Sequence, residues 1–224
     1  MALVLYASEI AACVGMNKYK SVEDAKMDVW KRWDAPSFRR ASAANSLAQK
    51  TPEQVYSSLR PSVQKLVSTA VSSETERGAT NAVEVALSEK ANTSVVREVN
   101  TRRGTQNEHK GIAAYERSKR VKLHGKNSNF YKKCIGKNRF GATVYVGGRV
   151  DGLTEDKVVE VKCRRNRLFN TLPLYEKVQT QAYLFLTGKN TVEVLQKFDG
   201  CTRSDEYSAD AEFWSKVCEA ALEF

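Results

Sequence analysis

The sequence has few of the residues from which nitrogen- and sulfur-based reactive sites are built. Only two histidines occur, His109 and His124, so nucleophilic sites with a histidine base and histidine-rich metal sites are not expected. The five cysteines are scattered, odd in number and without a CxxC pair, which predicts reduced thiols rather than a disulfide framework or a zinc cage. Any chemistry must therefore depend on carboxylates and lysine.

Long apolar runs are also missing. No stretch approaches the roughly 18 to 20 residues of a membrane span, and the apolar amino terminus meets Glu9 too early, without a basic flank, to predict a signal peptide. We therefore expect a soluble, intracellular protein with no membrane partner. With 224 residues, 42% of them hydrophobic, the chain is suited to one domain with a substantial core.

What the chain has in excess is positive charge. Its 36 Lys and Arg outnumber its 26 Asp and Glu, which gives a formal net charge of +10. The whole excess lies in residues 97–139, where 13 basic residues accompany three acids, while the remaining chain carries 23 of each sign. A charge run is commonly a solvated surface, but an excess confined to one fifth of the chain favours a surface that faces phosphates.

Apolar periodicity divides the chain into a helical first half and a mixed second half. In the first half, apolar residues recur at helical spacing and predict a helical insertion over residues 37–92. The second half predicts a hairpin of residues 130–135 with 141–150, strands at 157–163 and 191–198, and a helix over 173–187. We divide the single domain into N-terminal helices of the core (1–36), the insertion (37–92), a catalytic core (93–200) and a C-terminal helix (201–224).

Two carboxylates are expected to face each other across a short hairpin. If residues 154–157 form the turn, Asp151 lies opposite Glu160, and directly opposed residues have Cβ atoms about 4.5 to 5.5 Å apart. Like charges at that distance destabilise the pair unless a cation lies between them. Alternation along the strand puts Lys162 on the same face as Glu160, while Val159 and Val161 point the other way, into the core.

This acid pair is suited to a hard cation such as Mg²⁺ or Mn²⁺. A bound divalent ion lowers the pKa of a coordinated water and stabilises charge on phosphorus oxygens, and Lys162 can orient or deprotonate the attacking water or neutralise charge. The pattern therefore predicts phosphodiester hydrolysis. The alternative is a solvated hairpin with a surface Glu-Lys pair, since the Glu-x-Lys triplet recurs at Glu108. A glutamate within a buried valine run is costly, however, unless it is paired or bound to metal.

A third carboxylate and two glutamines lie on elements predicted to face this hairpin. Glu108 shares a helical stripe with the apolar residues four and seven positions later, so its side chain is expected to point at the sheet. In the helix over 173–187, Gln179 and Gln181 border the apolar stripe. On their own, these glutamines are typical of a helix surface.

Taken together, these residues resemble the motifs of a known family. Arg103-Gly104-x-x-x-Glu108, Gly148-Arg149-Val150-Asp151-Gly152, Glu160-Val161-Lys162-Cys163 and Gln179-x-Gln181-x-Tyr183 resemble, in that order, the motifs of the PD-(D/E)XK nucleases of the lambda-exonuclease or YqaJ-like viral recombinase type. Ala7-Ser8-Glu9-Ile10-Ala11-Ala12-x-x-Gly15 resembles that family's N-terminal motif. The likeness covers residues 7–19 and 97–190. Val150 stands where the family has proline, and residues 37–92 have no counterpart.

The resemblance implies an α/β fold with a restriction-endonuclease-like core, in which helices flank a mixed central sheet. It implies a Mg²⁺-dependent deoxyribonuclease with two ions, replaceable by Mn²⁺, that digests linear duplex DNA from 5′ to 3′ in recombination or repair. By that likeness the metal ligands are Glu108, Asp151, Glu160 and the Val161 carbonyl, Lys162 is catalytic, and Gln181 or Gln179 holds the attacking water. The residues implied at DNA and its 5′ phosphate are Ser8, Arg103, Arg149, Arg164, Arg165, Arg167 and Tyr183.

Several alternatives stay open from the sequence. An endonuclease of the same fold, acting at nicks, flaps or specific sites, shares the active-site motifs, and RNA remains a candidate substrate. A catalytically inactive DNA-binding protein is the third alternative, although it has no reason to oppose two acids. The expected partners are duplex DNA with free ends, a single-strand annealing protein and a second copy of the chain. A viral origin predicts the nucleus or cytoplasm of an infected host.

Overall fold

The computed structural model describes residues 2–44, 52–73, 75–88 and 93–224. Its elements in chain order are β1 (Ala2–Tyr6), α1 (Ile10–Cys13), α2 (Val22–Trp33), α3 (Ala35–Ala44), α4 (Pro52–Ser57), α5 (Pro61–Ser72), α6 (Glu76–Ser88), α7 (Thr93–Lys119), β2 (Tyr131–Lys137), β3 (Thr143–Gly148), β4 (Gly152–Leu153), β5 (Lys157–Cys163), α8 (Leu174–Thr187), β6 (Thr191–Phe198), β7 (Cys201–Ser208) and α9 (Ala211–Glu223). Within these ranges, no helix is long and apolar enough to cross a membrane.

The strands form two hydrogen-bonded groups. In the first, β3 lies between β1, which is parallel to it, and β2, which is antiparallel. In the second, β5 and β6 are parallel, and β4 and β7 pair antiparallel at the edges. One hydrophobic core joins both groups to α8, with Val144, Val158 and Val178 fully buried in it. Mixed strand pairing flanked by helices confirms the predicted α/β fold class.

The long helix α7 packs directly on β5. Gly111 makes this close approach feasible, because a Cβ atom at that position would lie 2.4 Å from Cγ1 of Val161. Ile112 and Tyr115 of α7 form a buried cluster with Val159 and Val161, so these two valines point away from the side chain of Glu160. This packing brings the middle of α7 to the β4–β5 hairpin.

The described part of the predicted insertion consists of helices joined by short connections. α5, α6 and the start of α7 share a core that includes Val63, Val67, Val83 and Val99 and is separate from that of the sheets. Residues 45–51, 74 and 89–92 of the predicted insertion lie outside the described residues. The segment therefore contributes a helical unit with its own small core.

Two element predictions were wrong at the ends of the chain. Residues 1–36 were expected to be helical, but residues 2–6 form β1. A five-residue apolar run does not distinguish a strand from a buried helix segment by periodicity. The C-terminal segment 201–224 was assigned to a helix, and α9 (Ala211–Glu223) is present in it, but residues 201–208 form β7. Its sequence is mostly polar because it is an exposed edge strand, and pairing with β6 determines its conformation.

Candidate active site

β4 and β5 pair in the register predicted from the sequence, with Leu153 opposite Val158. Continued by two residues, that register brings Asp151 and Glu160 to the same face of the hairpin. Oδ2 of Asp151 accepts a hydrogen bond of 2.7 Å from the backbone amide of Val161, which holds this carboxylate against β5. Both acids are buried, with exposed fractions of 8% for Asp151 and 2% for Glu160.

Glu160 is the most confined acid of the cluster. Its Oε1 accepts hydrogen bonds from Lys162 Nζ at 2.7 Å and from Gln179 Nε2 at 3.3 Å. Its Oε2 is buried and has no hydrogen-bond partner. Burial, together with the charge of Asp151, raises the pKa of Glu160 to about 8. A buried carboxylate oxygen without a partner costs free energy. A cation or a hydrogen-bond donor at Oε2 would remove that cost.

The third carboxylate comes from α7, as the helical stripe predicts. The Glu108 side chain is half-buried, contacts Asp151 and accepts a hydrogen bond from the side-chain amide of Asn127. Burial and then the charge of Asp151 raise the pKa of Glu108. Glu108, Asp151 and Glu160 thus form a cluster of three mutually repelling acids, which we call the acid cluster.

Lys162 lies beside the acid cluster and is held by two side chains. Its Nζ donates to Glu160 and, at 3.0 Å, to Oε1 of Gln179. Burial opposes the charged ammonium, but Glu160, Glu176 and Tyr183 together outweigh burial and hold the pKa of Lys162 above its usual value. The lysine therefore stays protonated, which is suited to orienting water or neutralising charge rather than to accepting a proton.

Asn127 is a site residue that the sequence analysis missed. It lies between α7 and β2 with a φ of 50°, a left-handed conformation that asparagine tolerates better than most residues. Its backbone amide donates to the carbonyl of Val150 at 3.0 Å, while its side chain donates to Glu108. It thereby links the residue before Asp151 to the acid on α7. The only sequence sign of this role is its place in an Asn-Ser-Asn turn.

An open cleft of about 570 Å³ adjoins the acid cluster. It contains three of the residues predicted to contact DNA, namely Ser8, Arg149 and Tyr183. The structure connects the cleft to the acid cluster through Tyr183, whose hydroxyl accepts a hydrogen bond of 2.9 Å from Gln179. The full lining is Tyr6, Ser8, Asn127, Phe130, Gly148, Arg149 and Tyr183.

Two arginines predicted to hold the 5′ phosphate are buried in contacts within the protein. Arg103 donates to the carbonyls of Ala70 and Ser73 and pairs with Glu76, so it joins α7 to the α5–α6 unit. Arg164 and Glu176 form a bidentate pair with distances of 2.5 and 2.8 Å. Because these guanidinium groups contact protein groups and do not line the cleft, the structure favours a structural role for each over the predicted phosphate contact.

Gln181 is also placed away from the chemistry. Its Nε2 donates to the carbonyl of Ser208 at 2.9 Å, and its Oε1 accepts from the amide of Asp210 at 2.8 Å. Both ends of the amide therefore hold the connection between β7 and α9. Residues two apart on a helix face different sides, and Gln179 is the glutamine that reaches the acid cluster. Of the two glutamines predicted as alternatives for holding the attacking water, the structure therefore favours Gln179.

Arg165 and Arg167 follow β5 on the surface. Both side chains are exposed, and Arg167 lines a separate cleft with Tyr19 and Tyr175. Their contact with DNA stays a prediction.

The residues of the acid cluster fit a hard divalent cation. Within the described ranges, no three Asp, Glu, His or Cys side chains already enclose one point as a complete cage would, because the acids are partly turned toward protein donors. Mg²⁺ needs only one or two carboxylates beside waters and substrate oxygens, and Oε2 of Glu160 is free to bind. The Val161 carbonyl lies on the same edge of β5 as its amide, which faces Asp151.

Comparison with known proteins gives distant structural neighbours. No protein family and no curated protein matches the sequence. Among solved structures, the protein SSO0001 is 11% identical with a TM-score of 0.49, covering 99% of this chain and 76% of its own. An alkaline exonuclease from Laribacter hongkongensis is 13% identical with a TM-score of 0.42, and the match covers 71% of this chain and 82% of the exonuclease. A phage-related exonuclease from Haemophilus somnus 129PT is 11% identical with a TM-score of 0.48, and the match covers 99% of this chain and 93% of the exonuclease.

Two of these three structures are thus described as exonucleases, the activity that the sequence motifs resemble. With identities of 11 to 13% and TM-scores below 0.5, we draw no functional conclusion from them.

Proposed function

We propose that this protein is a Mg²⁺-dependent deoxyribonuclease that hydrolyses DNA phosphodiesters. The observation that carries the proposal is the unpartnered Oε2 of Glu160, which is buried beside Asp151 in a cluster that also contains Glu108. Three acids repel one another and also repel phosphate, so a protein that only binds DNA gains nothing from them. A cation held by these oxygens removes both repulsions.

The residues around the acid cluster have separable roles in this proposal. Asp151, Glu160 and the Val161 carbonyl would hold the metal, and Glu108 would support the site directly or through water. A bound divalent ion, or a pair of them, lowers the pKa of a coordinated water and stabilises charge on the phosphorus oxygens. Lys162 remains charged, orients the attacking water and offsets the negative charge of the reacting phosphate. Gln179 fixes the direction of the Lys162 ammonium through its Oε1.

We further propose that the enzyme is an exonuclease on linear duplex DNA. The cleft beside the acid cluster contains the exposed Arg149 guanidinium and the Ser8 hydroxyl, a donor pair that is suited to a terminal phosphate. The 5′ to 3′ direction and a role in recombination or repair rest on the motif resemblance. An endonuclease that acts at nicks, flaps or specific sites would use the same acid cluster without needing a free end.

One set of substrates tests these proposals together. The protein would be incubated with linear 5′-phosphorylated duplex, linear 5′-hydroxyl duplex, nicked circles, closed circles and RNA, each with Mg²⁺ or with EDTA. We expect Mg²⁺-dependent release of nucleotides from linear duplex, faster with the 5′ phosphate, and no cutting of closed circles. Cutting of closed circles, or equal rates at both kinds of end, would support the endonuclease.

The Glu160→Gln variant serves as the control for contaminating nucleases. Its carboxamide keeps the size of the side chain but removes the anionic ligand, so it should bind DNA without cutting it. Cleavage by the wild type in EDTA, or undiminished cleavage by the variant, would contradict the metal-dependent proposal.

A further inference from the structure

The sheet formed by β1, β3 and β2 has a second face, opposite the one that α8 covers. Strand pairing sets Val4 beside Tyr145, and Tyr6 and Lys132 beside Gly147. Because side chains alternate along a strand, these five residues point away from the core face, and together we call them the outer face. The Lys132 side chain is exposed, and Val4, Tyr6 and Tyr145 are half-buried.

Aromatic rings cover the outer face. Gly147 leaves a gap that the Phe130 ring occupies, because a Cβ atom at Gly147 would lie 2.6 Å from Cζ of Phe130. The rings of Phe130 and Tyr6 meet edge to face with centroids 6.0 Å apart. Tyr145 lies two residues before Gly147 on β3, a step of about 6.6 Å. The Phe130 ring, which lies over Gly147, and the Tyr145 ring therefore occupy successive outward-facing positions of β3.

Cations accompany these rings. Lys132 Nζ lies 4.1 Å from the centroid of the Tyr145 ring, and the guanidinium of Arg149 lies 5.4 Å from that of Phe130. Arg32 lies over Tyr6 but is paired with Glu9, so it adds no net charge.

Lys132 and Arg149 belong to a stretch of sequence without acids. Residues 117–150 contain no Asp or Glu and ten basic residues, which are Arg117, Lys119, Arg120, Lys122, Lys126, Lys132, Lys133, Lys137, Arg139 and Arg149. At the outer face, the positive charges are those of Lys132 beside Tyr145 and Arg149 beside Phe130, which complement a polyanion.

The outer face is continuous with the cleft of the candidate active site. Tyr6 belongs to the outer face and also lines the cleft, as does Phe130, which covers Gly147. Asn127 and Tyr183 also line the cleft. Asn127 contacts Glu108 of the acid cluster, and Tyr183 contacts Gln179. A strand of nucleic acid that leaves the cleft can therefore pass directly onto the rings.

We propose that the outer face binds single-stranded DNA, and that the strand separated from the one held at the acid cluster runs along it. This proposal rests on the proposed nuclease function and adds a second contact to it. Bases stack on Phe130 and Tyr145, while Lys132 contacts phosphates. Such stacking is available to an unpaired strand, whereas a duplex keeps its base faces within its own stack.

Fluorescence anisotropy of a labelled oligo-dT of about 12 nucleotides tests the proposal in EDTA, where binding is measured without cleavage. Tyr145→Thr should weaken binding about five- to 150-fold, because stacking of one base on an aromatic ring is worth about 1 to 3 kcal/mol. Tyr145→Phe keeps the ring and should bind like the wild type. Lys132→Ala should weaken binding and reduce the slope of log K against log salt by about 0.7.

Two controls separate this effect from general loss of charge or folding. Lys65→Ala removes one charge from an exposed position on α5 and should leave binding unchanged. Blunt duplex should lose much less affinity than oligo-dT in Tyr145→Thr. Unchanged oligo-dT binding in both Tyr145→Thr and Lys132→Ala would overturn the proposal, and so would an equal loss for oligo-dT and duplex.

Cleavage in Mg²⁺ is measured separately, so the two proposals fail in different ways. If the wild type cuts no DNA but the variants lose oligo-dT binding, the outer face is supported and the nuclease function is refuted. If the wild type cuts linear duplex and the variants bind oligo-dT normally, the outer-face proposal alone is refuted.

Discussion

The raised pKa of Glu160 makes cation binding depend on pH in a predictable way. Burial and the charge of Asp151 raise this pKa to about 8, so without metal the carboxyl is largely protonated near neutral pH. A cation binds only the ionised form, and its binding releases the proton. Affinity should therefore fall as the pH falls below the pKa and level off above it.

The size of the effect follows from the titration. From about pH 9 to about pH 6, the ionised fraction of a group with that pKa falls about ninetyfold, which corresponds to about 2.6 kcal/mol of binding free energy. Titration calorimetry with Mn²⁺ would measure it, and buffers of different ionisation enthalpy would count the released protons. We expect about one proton per cation bound at neutral pH.

The reverse sign holds for the stability of the metal-free protein. Because the pKa of Glu160 is raised in the folded state, its contribution to stability is present at low pH and is lost as the pH rises from about 4.5 to about 8. Added Mn²⁺ should restore that loss at high pH. Cation affinity that stays constant from about pH 6 to about pH 9, with no proton release, would refute the claim that Glu160 loses a proton when a cation binds.

Further predictions use matched variants. Lys162→Ala should slow cleavage about a hundredfold or more and leave duplex binding largely intact in a mobility-shift assay; wild-type cutting would remove Lys162 from the mechanism. Gln179→Ala should lower kcat with little change in melting temperature. Gln181→Ala should instead cost about 2 kcal/mol of stability and leave kcat nearly unchanged. The opposite pattern would exchange the roles of the two glutamines. Arg149→Ala should reduce the rate ratio between 5′-phosphorylated and 5′-hydroxyl ends, and an unchanged ratio would contradict its role. Arg103→Ala should lower the melting temperature without altering that ratio.

The part of the site that could be predicted from sequence is the part determined by local geometry. A four-residue turn at 154–157 sets the register of the β4–β5 hairpin, and with it the facing of Asp151 and Glu160. Helical periodicity likewise placed Glu108 on the face of α7 that meets the sheet. In both cases the backbone period alone determines the side-chain direction.

The parts that could not be predicted depend on contacts between distant segments. A pattern shows that Arg103, Arg164 and Gln181 lie near the motifs, but not that each finds its partners inside the protein. Glu76, Glu176 and the β7–α9 connection, which provide those partners, lie 12 to 29 residues away. For the same reason Asn127 was missed, since only the folded chain brings its amide to Glu108.

The most direct test of the account is a crystal of the protein soaked in Mn²⁺ and measured at the manganese absorption edge. We predict an anomalous peak within coordinating distance of Oε2 of Glu160, about 2.0 to 2.2 Å for a hard cation of this size, with a carboxylate oxygen of Asp151 as a second ligand. A map without a peak between these two side chains, at a Mn²⁺ concentration that supports cleavage, would contradict the proposed metal site.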